Sequence, residues 1–290
     1  MEKRQDIEFL RIISAFGIVW FHSGAIGHAV SYSGLMVFLI LSTYLSKKST
    51  AAGLFRKRFE RFIVPWMFWF DVYAVENIVR GEPIINAKRS FLAGVLAGPS
   101  IHLWYMPFMF FCLVTLDTAK RHLPPMALCL TSAALAILIM AVTPSLTQPL
   151  AELGYPAPQY GHGVVGVLVG IFLLYFDVLP GKTRWLICAT MIFVATQRLP
   201  YAGIENPSVI GMVLCFVLAS GITQKIRSVD FTPLSQCTLG IYFIHILFLD
   251  LAAKARIFHG IRGPLVVFVA SAITVYYLRR AFPRLAKYWS

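Results

Sequence analysis

Charge is scarce in this chain. Asp, Glu, Lys and Arg make up only 13% of its 290 residues, and 58% are hydrophobic. Soluble domains carry about 25% charged and about 45–50% apolar residues, so there are too few charges to cover a water-soluble body of this size. That excludes an ordinary cytosolic enzyme and a disordered chain. Acids are scarcer still, 13 against 26 Lys and Arg, which gives a net charge of +13. Cysteine is sparse too. Cys112, Cys129, Cys188, Cys215 and Cys237 lie in or beside apolar runs and form no C-x-x-C pair. A disulfide scaffold is thereby excluded, and the cysteines read as small buried hydrophobes rather than metal or redox groups. No internal repeat and no appended soluble domain stand out.

What the chain has is apolar length, with a mean hydropathy of +0.71. Ten runs approach the ~17–25 residues that cross a bilayer as a helix: 8–28, 32–46, 62–79, 101–118, 124–142, 161–178, 184–197, 207–223, 237–253 and 263–280. The fold class expected is all-α, a polytopic membrane protein of about ten transmembrane helices, with residues 1–290 as one membrane domain. The first run carries Arg11 and His22 and is followed by further apolar runs, so it reads as a retained helix rather than a signal peptide. The 143–160 stretch, with Pro144, Pro149, Pro156 and Pro158, is the one connection long enough to form an external lid.

Orientation follows from the basic residues. With the N-terminus inside, the cytoplasmic segments hold eighteen Lys and Arg and the outer segments seven, with Arg11 in the first run. The bias fits an even number of spans with both termini cytoplasmic. It absorbs most of the positive charge, and a nucleic-acid partner is not needed to explain it.

Ionisable groups in lipid cost about 2.5–3.5 kcal/mol for Arg or Asp at a helix centre, so they normally face a bundle interior or a watered cavity. Arg11 and His22 are eleven residues apart. At about 100° per residue they fall within about 20° of one helix face, about 16 Å apart along the axis. One face then carries a cation at the inner boundary and a titratable base farther out. The plainer alternative is a snorkelling arginine and a hydrogen-bonded core histidine. Arg58 and Arg61 are three apart at the cytoplasmic entry to Pro65 and Trp66, hence expected neighbours on a helix. Paired guanidinium forks suit phosphate, and the same run serves equally as a positive-inside signal that binds anionic lipid.

At the outer end of the fourth run, His102-Leu103-Trp104-Tyr105 reads either as an aromatic belt or as a platform for sugar rings. In the ninth, Thr238 to His245 puts His245 near mid-bilayer, where a polar group must find a partner. Asp71 and Glu76 are expected as buried acids able to partner a histidine or arginine. Gly166-x-x-x-Gly170 suggests close helix packing.

These patterns together resemble the integral-membrane acyltransferase family 3, the bacterial group that acylates extracytoplasmic glycans. The matches run in the family's order: Arg-x10-His at Arg11 and His22; Arg-x-x-Arg before a proline-aromatic start at Arg58, Arg61, Pro65 and Trp66; His-Leu-Trp-aromatic at His102 to Tyr105; and Gly-Ile-Tyr-x-x-His at Gly240 to His245. The chain is similar to the short, stand-alone members. It departs from the family's Phe-Phe-x-x-Ser-Gly step, where Gly34, Val37, Phe38 and Ser42 fit but Thr43 stands in place of glycine. Looser packing of that short helix is the expectation.

The resemblance implies an acyl-CoA donor, with acetyl-CoA foremost, used as substrate, with no bound cofactor and no metal. Its phosphates suit Arg11, Arg58 and Arg61. A hydroxyl of an extracytoplasmic or lipid-linked glycan would be the acceptor. His22, an imidazole with an ordinary pKa near 6.5, is suited to act as general base or transient acyl acceptor. His102, Trp104, Tyr242 and His245 would bind the acceptor or support the imidazole. The implied setting is the bacterial cytoplasmic membrane, multi-pass, with glycan-synthesis machinery as a candidate partner. A transporter or flippase of a small polar or glycolipid substrate is the rival reading, since it too uses buried His, Arg and acids. An inert bundle has little reason to carry them.

Overall fold

The computed structural model describes residues 4–46, 53–85, 90–198, 207–225, 229–255 and 260–289. Among the orientation-setting cations, Lys3, Lys47, Lys48, Lys88, Arg89, Arg227 and Arg256 lie outside the described residues. Every regular element described is helical. In chain order the α-helices are α1 (Gln5–Ser23), α2 (His28–Ser31), α3 (Ser33–Tyr44), α4 (Leu54–Arg58), α5 (Val64–Arg80), α6 (Phe91–Ala97), α7 (Tyr105–His122), α8 (Pro125–Leu153), α9 (Ala157–Leu174), α10 (Gly181–Arg198), α11 (Pro207–Ala219), α12 (Thr232–Ser235), α13 (Thr238–Lys254), α14 (Arg262–Ala281) and α15 (Ala286–Trp289).

Each of the ten apolar runs falls on a helix. Four helical stretches are long and apolar enough by themselves to cross a membrane: 54–80, 125–153, 157–174 and 262–281. The stretches His28–Tyr44 and Pro207–Ala219 are apolar but shorter. Of the helices that hold ionisable candidates, the 54–80 stretch carries Arg58 and Arg61, whereas α1, α7 and α13 fall outside both sets.

One expectation is overturned at the proposed lid. Residues 143–153 continue α8 straight through Pro144 and Pro149. A proline removes one backbone hydrogen bond and crowds the preceding turn, yet the helix continues through both. Thr143 donates to the Ile139 carbonyl and Thr147 to the Thr143 carbonyl, at 2.7 and 2.9 Å. Only Gly154 to Pro156 remain as a connection into α9.

The chain forms two compact units, residues 1–41 with 195–290 and residues 42–194. In the first unit α1 ends at Gly24, whose φ of +66° is the left-handed conformation that lets its N–H return to the Phe21 carbonyl. Ile12, Ala15 and Val19 of α1 pack on Ile241 and Leu249 of α13 and on Val267, Phe268 and Ala272 of α14. Between membrane helices such contacts stabilise by close packing rather than by expelling water.

The α1–α3 contact is tight. A Cβ on Gly34 would collide with the Ser14 carbonyl oxygen, and one on Gly17 would lie 2.8 Å from the Ser31 carbonyl. The looser packing expected from Thr43 is therefore not found at this helix's contact with α1. The glycine that matters there is Gly34, nine residues earlier, and Thr43 itself is fully buried.

In the second unit α8 and α9 form an antiparallel pair, with Gly166 and Gly170 buried in α9 and the Cys129 thiol of α8 facing the Phe172 carbonyl. Cys129, Cys188, Cys215 and Cys237 are buried free thiols and Cys112 is half-buried. Asp71 is exposed on α5, and Glu76 pairs within the same helix with Arg80. The expectation of a buried acid is corrected for Asp71, which faces outward, whereas Glu76 does partner an arginine, Arg80 one turn along the same helix.

Candidate active site

The first unit brings together four of the residues singled out from sequence. The spacing that put Arg11 and His22 on one face of α1 holds, and that face lies against α13. Arg11 reaches Thr238, with Nη2 3.5 Å from the hydroxyl, and Nη1 is 3.1 Å from the Glu8 carboxylate. Glu8 in turn accepts a hydrogen bond from Ser235 at the end of α12. Farther along, the His22 and His245 rings lie 5.2 Å apart, centroid to centroid. The contact order Glu8 with Ser235, Arg11 with Thr238 and His22 with His245 rises along both chains, so α1 and α13 run parallel.

His245 is fully buried. Its Nδ1 sits 2.6 Å from the Tyr242 carbonyl and 3.2 Å from the Ile241 carbonyl. Tyr242 packs beside it, ring centroids 6.1 Å apart. His22 is half-buried, with the Phe21 ring edge-on at 5.1 Å and no hydrogen-bond partner for its nitrogens among the described residues. An imidazole in that state keeps both nitrogens for a substrate or a neighbouring ring.

The N-terminal end of α1 is clasped to the end of α11 and the residues that follow it. Asp6 accepts from Arg4 and from the Thr223 hydroxyl, each at 2.7 Å, and Arg4 also donates to the Leu218 carbonyl. Burial works to raise the Asp6 pKa, but the hydrogen bonds from Arg4 and Thr223 outweigh it and hold the carboxyl below its ordinary value. A cavity of about 280 Å³ borders α1 on its other side, lined by Phe16, Gly17, Trp20, Val30, Gly34 and their neighbours. Neither Arg11 nor His22 lines it.

The second unit holds the remaining candidates, and here the geometry differs from the helical reading. Residues Phe59–Ile63 form a π-helical turn. Its i→i+5 bonding rotates each residue by about 80° instead of about 100°, so residues three apart diverge by about 115° rather than about 60°. Arg58 and Arg61 accordingly enter different surroundings. Arg58 is 8% exposed and its Nε lies 3.2 Å from Asp117. Asp117 also takes Lys120 at 3.2 Å, and Lys120 reaches the Ser46 hydroxyl at 3.4 Å. Arg61 is exposed, with its guanidinium 5.7 Å from the Phe62 ring centre.

The aromatic step is a packed cluster. His102 is 1% exposed, held by Ser100 at 3.1 Å and edge-on to Tyr73 at 5.1 Å. Trp104 is 5% exposed, with Phe108 and Tyr160 against it and Gly163 beneath. Its faces are covered by protein, which excludes an open stacking platform in this conformation. A larger cavity of about 930 Å³ lies nearby, lined by Asn77, Glu82, Ser90, Gly98 and Tyr155 among others. Two of its polar groups are engaged: Asn77 donates to the Pro83 and Pro99 carbonyls, and Tyr155 to Ile101.

Sequence reasoning missed Glu8, Thr238, Asp117 and Lys120. Glu8 stood one turn from Arg11, a visible signal. Asp117 and Lys120 looked like the polar end of a span, and nothing in their spacing linked them to Arg58, 59 residues away. Among the described residues no group of three or more His, Cys, Asp or Glu is placed to hold a metal ion.

No curated protein and no solved structure matches the chain. The model of the acyltransferase domain of family 3 does, over residues 4–278, and so takes in both units, the α1 pair Arg11 and His22, and Tyr242 and His245. The chain belongs to acyltransferase family 3 and is a membrane acyltransferase.

Proposed function

We propose that this acyltransferase moves an acetyl group from cytoplasmic acetyl-CoA to a hydroxyl of an extracytoplasmic or lipid-linked glycan, with His22 as general base. The observation that carries the reading is the shared face of α1: Arg11 and His22 lie along one stripe and both meet α13, at Thr238 and at His245. A guanidinium at the inner end suits a polyanionic donor. An imidazole about three turns farther out suits removal of a proton from a hydroxyl, which is a poor nucleophile while protonated. In the step, the hydroxyl oxygen bonds to the acyl carbon, the thioester C–S bond breaks, and the hydroxyl proton passes to His22 and then to the departing thiolate.

Arg58 and Arg61 are assigned to the same donor's phosphates on their side-chain chemistry, Arg58 through the guanidinium edge not turned to Asp117. His102, Trp104, Tyr242 and His245 act as supports. We place the chain in the bacterial cytoplasmic membrane as about ten spans with both termini inside, beside glycan-synthesis machinery. The parallel course of α1 and α13 supports this, because the first and ninth of ten alternating spans run the same way.

The test is thioester chemistry. Purified chain in lipid nanodiscs, given acetyl-CoA labelled on the acetyl group, is expected to transfer label to a glycan extract or to release free CoA slowly to water. A transporter or flippase does neither, and an inert thioester under both conditions would refute the reading.

A further inference from the structure

The His22–His245 pair carries more than proximity. A carbonyl oxygen can only accept, so the 2.6 Å approach of His245 Nδ1 to the Tyr242 carbonyl, backed by Ile241 at 3.2 Å, puts a proton on Nδ1. In the neutral ring the lone pair then lies on Nε2. The backbone of α13 itself fixes this tautomer, and complete burial fixes the ring's position. His22 is the opposite case: half-buried, with both nitrogens unengaged among the described residues. The ring centroids lie 5.2 Å apart, a separation at which two imidazole nitrogens aimed at each other are a hydrogen bond apart.

We propose that His245 is the positioning residue for His22. Its Nε2 lone pair accepts the His22 N–H, so the other His22 nitrogen is left bare toward the acceptor hydroxyl. A base is most effective when a third group holds its tautomer and orientation, as the carboxylate does in a serine triad. Here a neutral imidazole pinned by its own helix does so, without placing a second charge in the membrane interior. The inference rests on the assignment of His22 as base.

Two substitutions separate orientation from bulk. Gln at 245 supplies an amide oxygen near the Nε2 position. Asn keeps an N–H for the Tyr242 carbonyl but ends short of His22. Free-thiol release from acetyl-CoA is measured on the full chain in nanodiscs. His245→Gln is expected to stay within tenfold of the unaltered turnover number. His245→Asn is expected to fall about a hundredfold with KM for acetyl-CoA unchanged, a split that loss of packing would not produce. An Asn variant within tenfold of the Gln variant overturns the proposal.

Should the Asn variant fail to accumulate as a monodisperse chain, the Gln variant decides alone: retention within tenfold supports the proposal and a larger loss overturns it. His22→Ala serves as the control for the underlying reading. If it keeps full activity, the base assignment itself falls. If it is inactive while His245→Asn is not, only the positioning role falls.

Discussion

Replacing Asp117 by Asn is expected to destabilise the chain severely, because this one carboxylate faces two buried cations. Its oxygens lie 3.2 Å from Arg58 Nε and 3.2 Å from Lys120 Nζ, and the three side chains are at most 10% exposed. At an effective dielectric of about 20 each contact is worth about 5 kcal/mol of Coulomb attraction. Desolvation cancels much of that in the intact cluster. In Asp117→Asn the desolvation remains, the attraction is gone, and two like charges face each other. Breaking buried pairs costs about 3–5 kcal/mol, which for a chain of this size corresponds to a melting-temperature drop of about 10 °C. The assay is thermal unfolding of purified protein in one detergent, followed by intrinsic fluorescence. Arg58→Gln with Asp117→Asn should recover part of the loss, since one of the two facing cations is removed. A single variant that melts within about 2 °C of the unaltered chain would refute the electrostatic reasoning.

Three further outcomes follow from the geometry. Gly34→Leu should separate α1 from α3, since its Cβ has no room against the Ser14 carbonyl, and overpacking of about 1–3 kcal/mol should appear as a lower melting temperature; unchanged melting would contradict the close approach. Asp6 has a folded pKa below its unfolded one, so its contribution is present above the unfolded carboxylate value and lost as pH falls through the folded one. Asp6→Asn should therefore melt earlier at neutral pH, with the gap narrowing in acid, and a gap that is constant with pH would count against the clasp. Arg11→Lys keeps the charge but not the fork that spans Glu8 and Thr238; it should raise KM for acetyl-CoA several-fold, and an unchanged KM would remove Arg11 from the donor site.

The parts of this molecule that were legible in sequence are those set by short-range periodicity. Ten apolar runs became helices, and the eleven-residue spacing of Arg11 and His22 fixed their common face because α1 is a regular helix throughout. The misreadings arose where the backbone or a distant partner intervened. The π-turn at Phe59–Ile63 rotated Arg61 away from Arg58, and no residue in Phe-Glu-Arg-Phe-Ile announces such a turn. Pro144 and Pro149 suggested a loop, yet the helix absorbed both, with the Thr143 and Thr147 hydroxyls bonded to its carbonyls. Trp104 and His102 read as a surface because their sequence neighbours suit an interface. Their burial depends on Tyr73, Phe108, Tyr160 and Gly163, some of them far away in the chain. Thr43 drew attention as the odd residue in its motif, whereas the close contact with α1 belongs to Gly34.

The most direct measurement is acyl transfer by His22→Ala, with labelled acetyl-CoA, in membranes where the variant is inserted to the same level as the unaltered chain. Loss of the base should lower transfer about a hundredfold or more, with melting temperature and membrane insertion preserved because the ring is only half-buried. Transfer close to that of the unaltered chain would contradict the account, and the face of α1 that carries Arg11 and His22 would no longer mark the reacting centre.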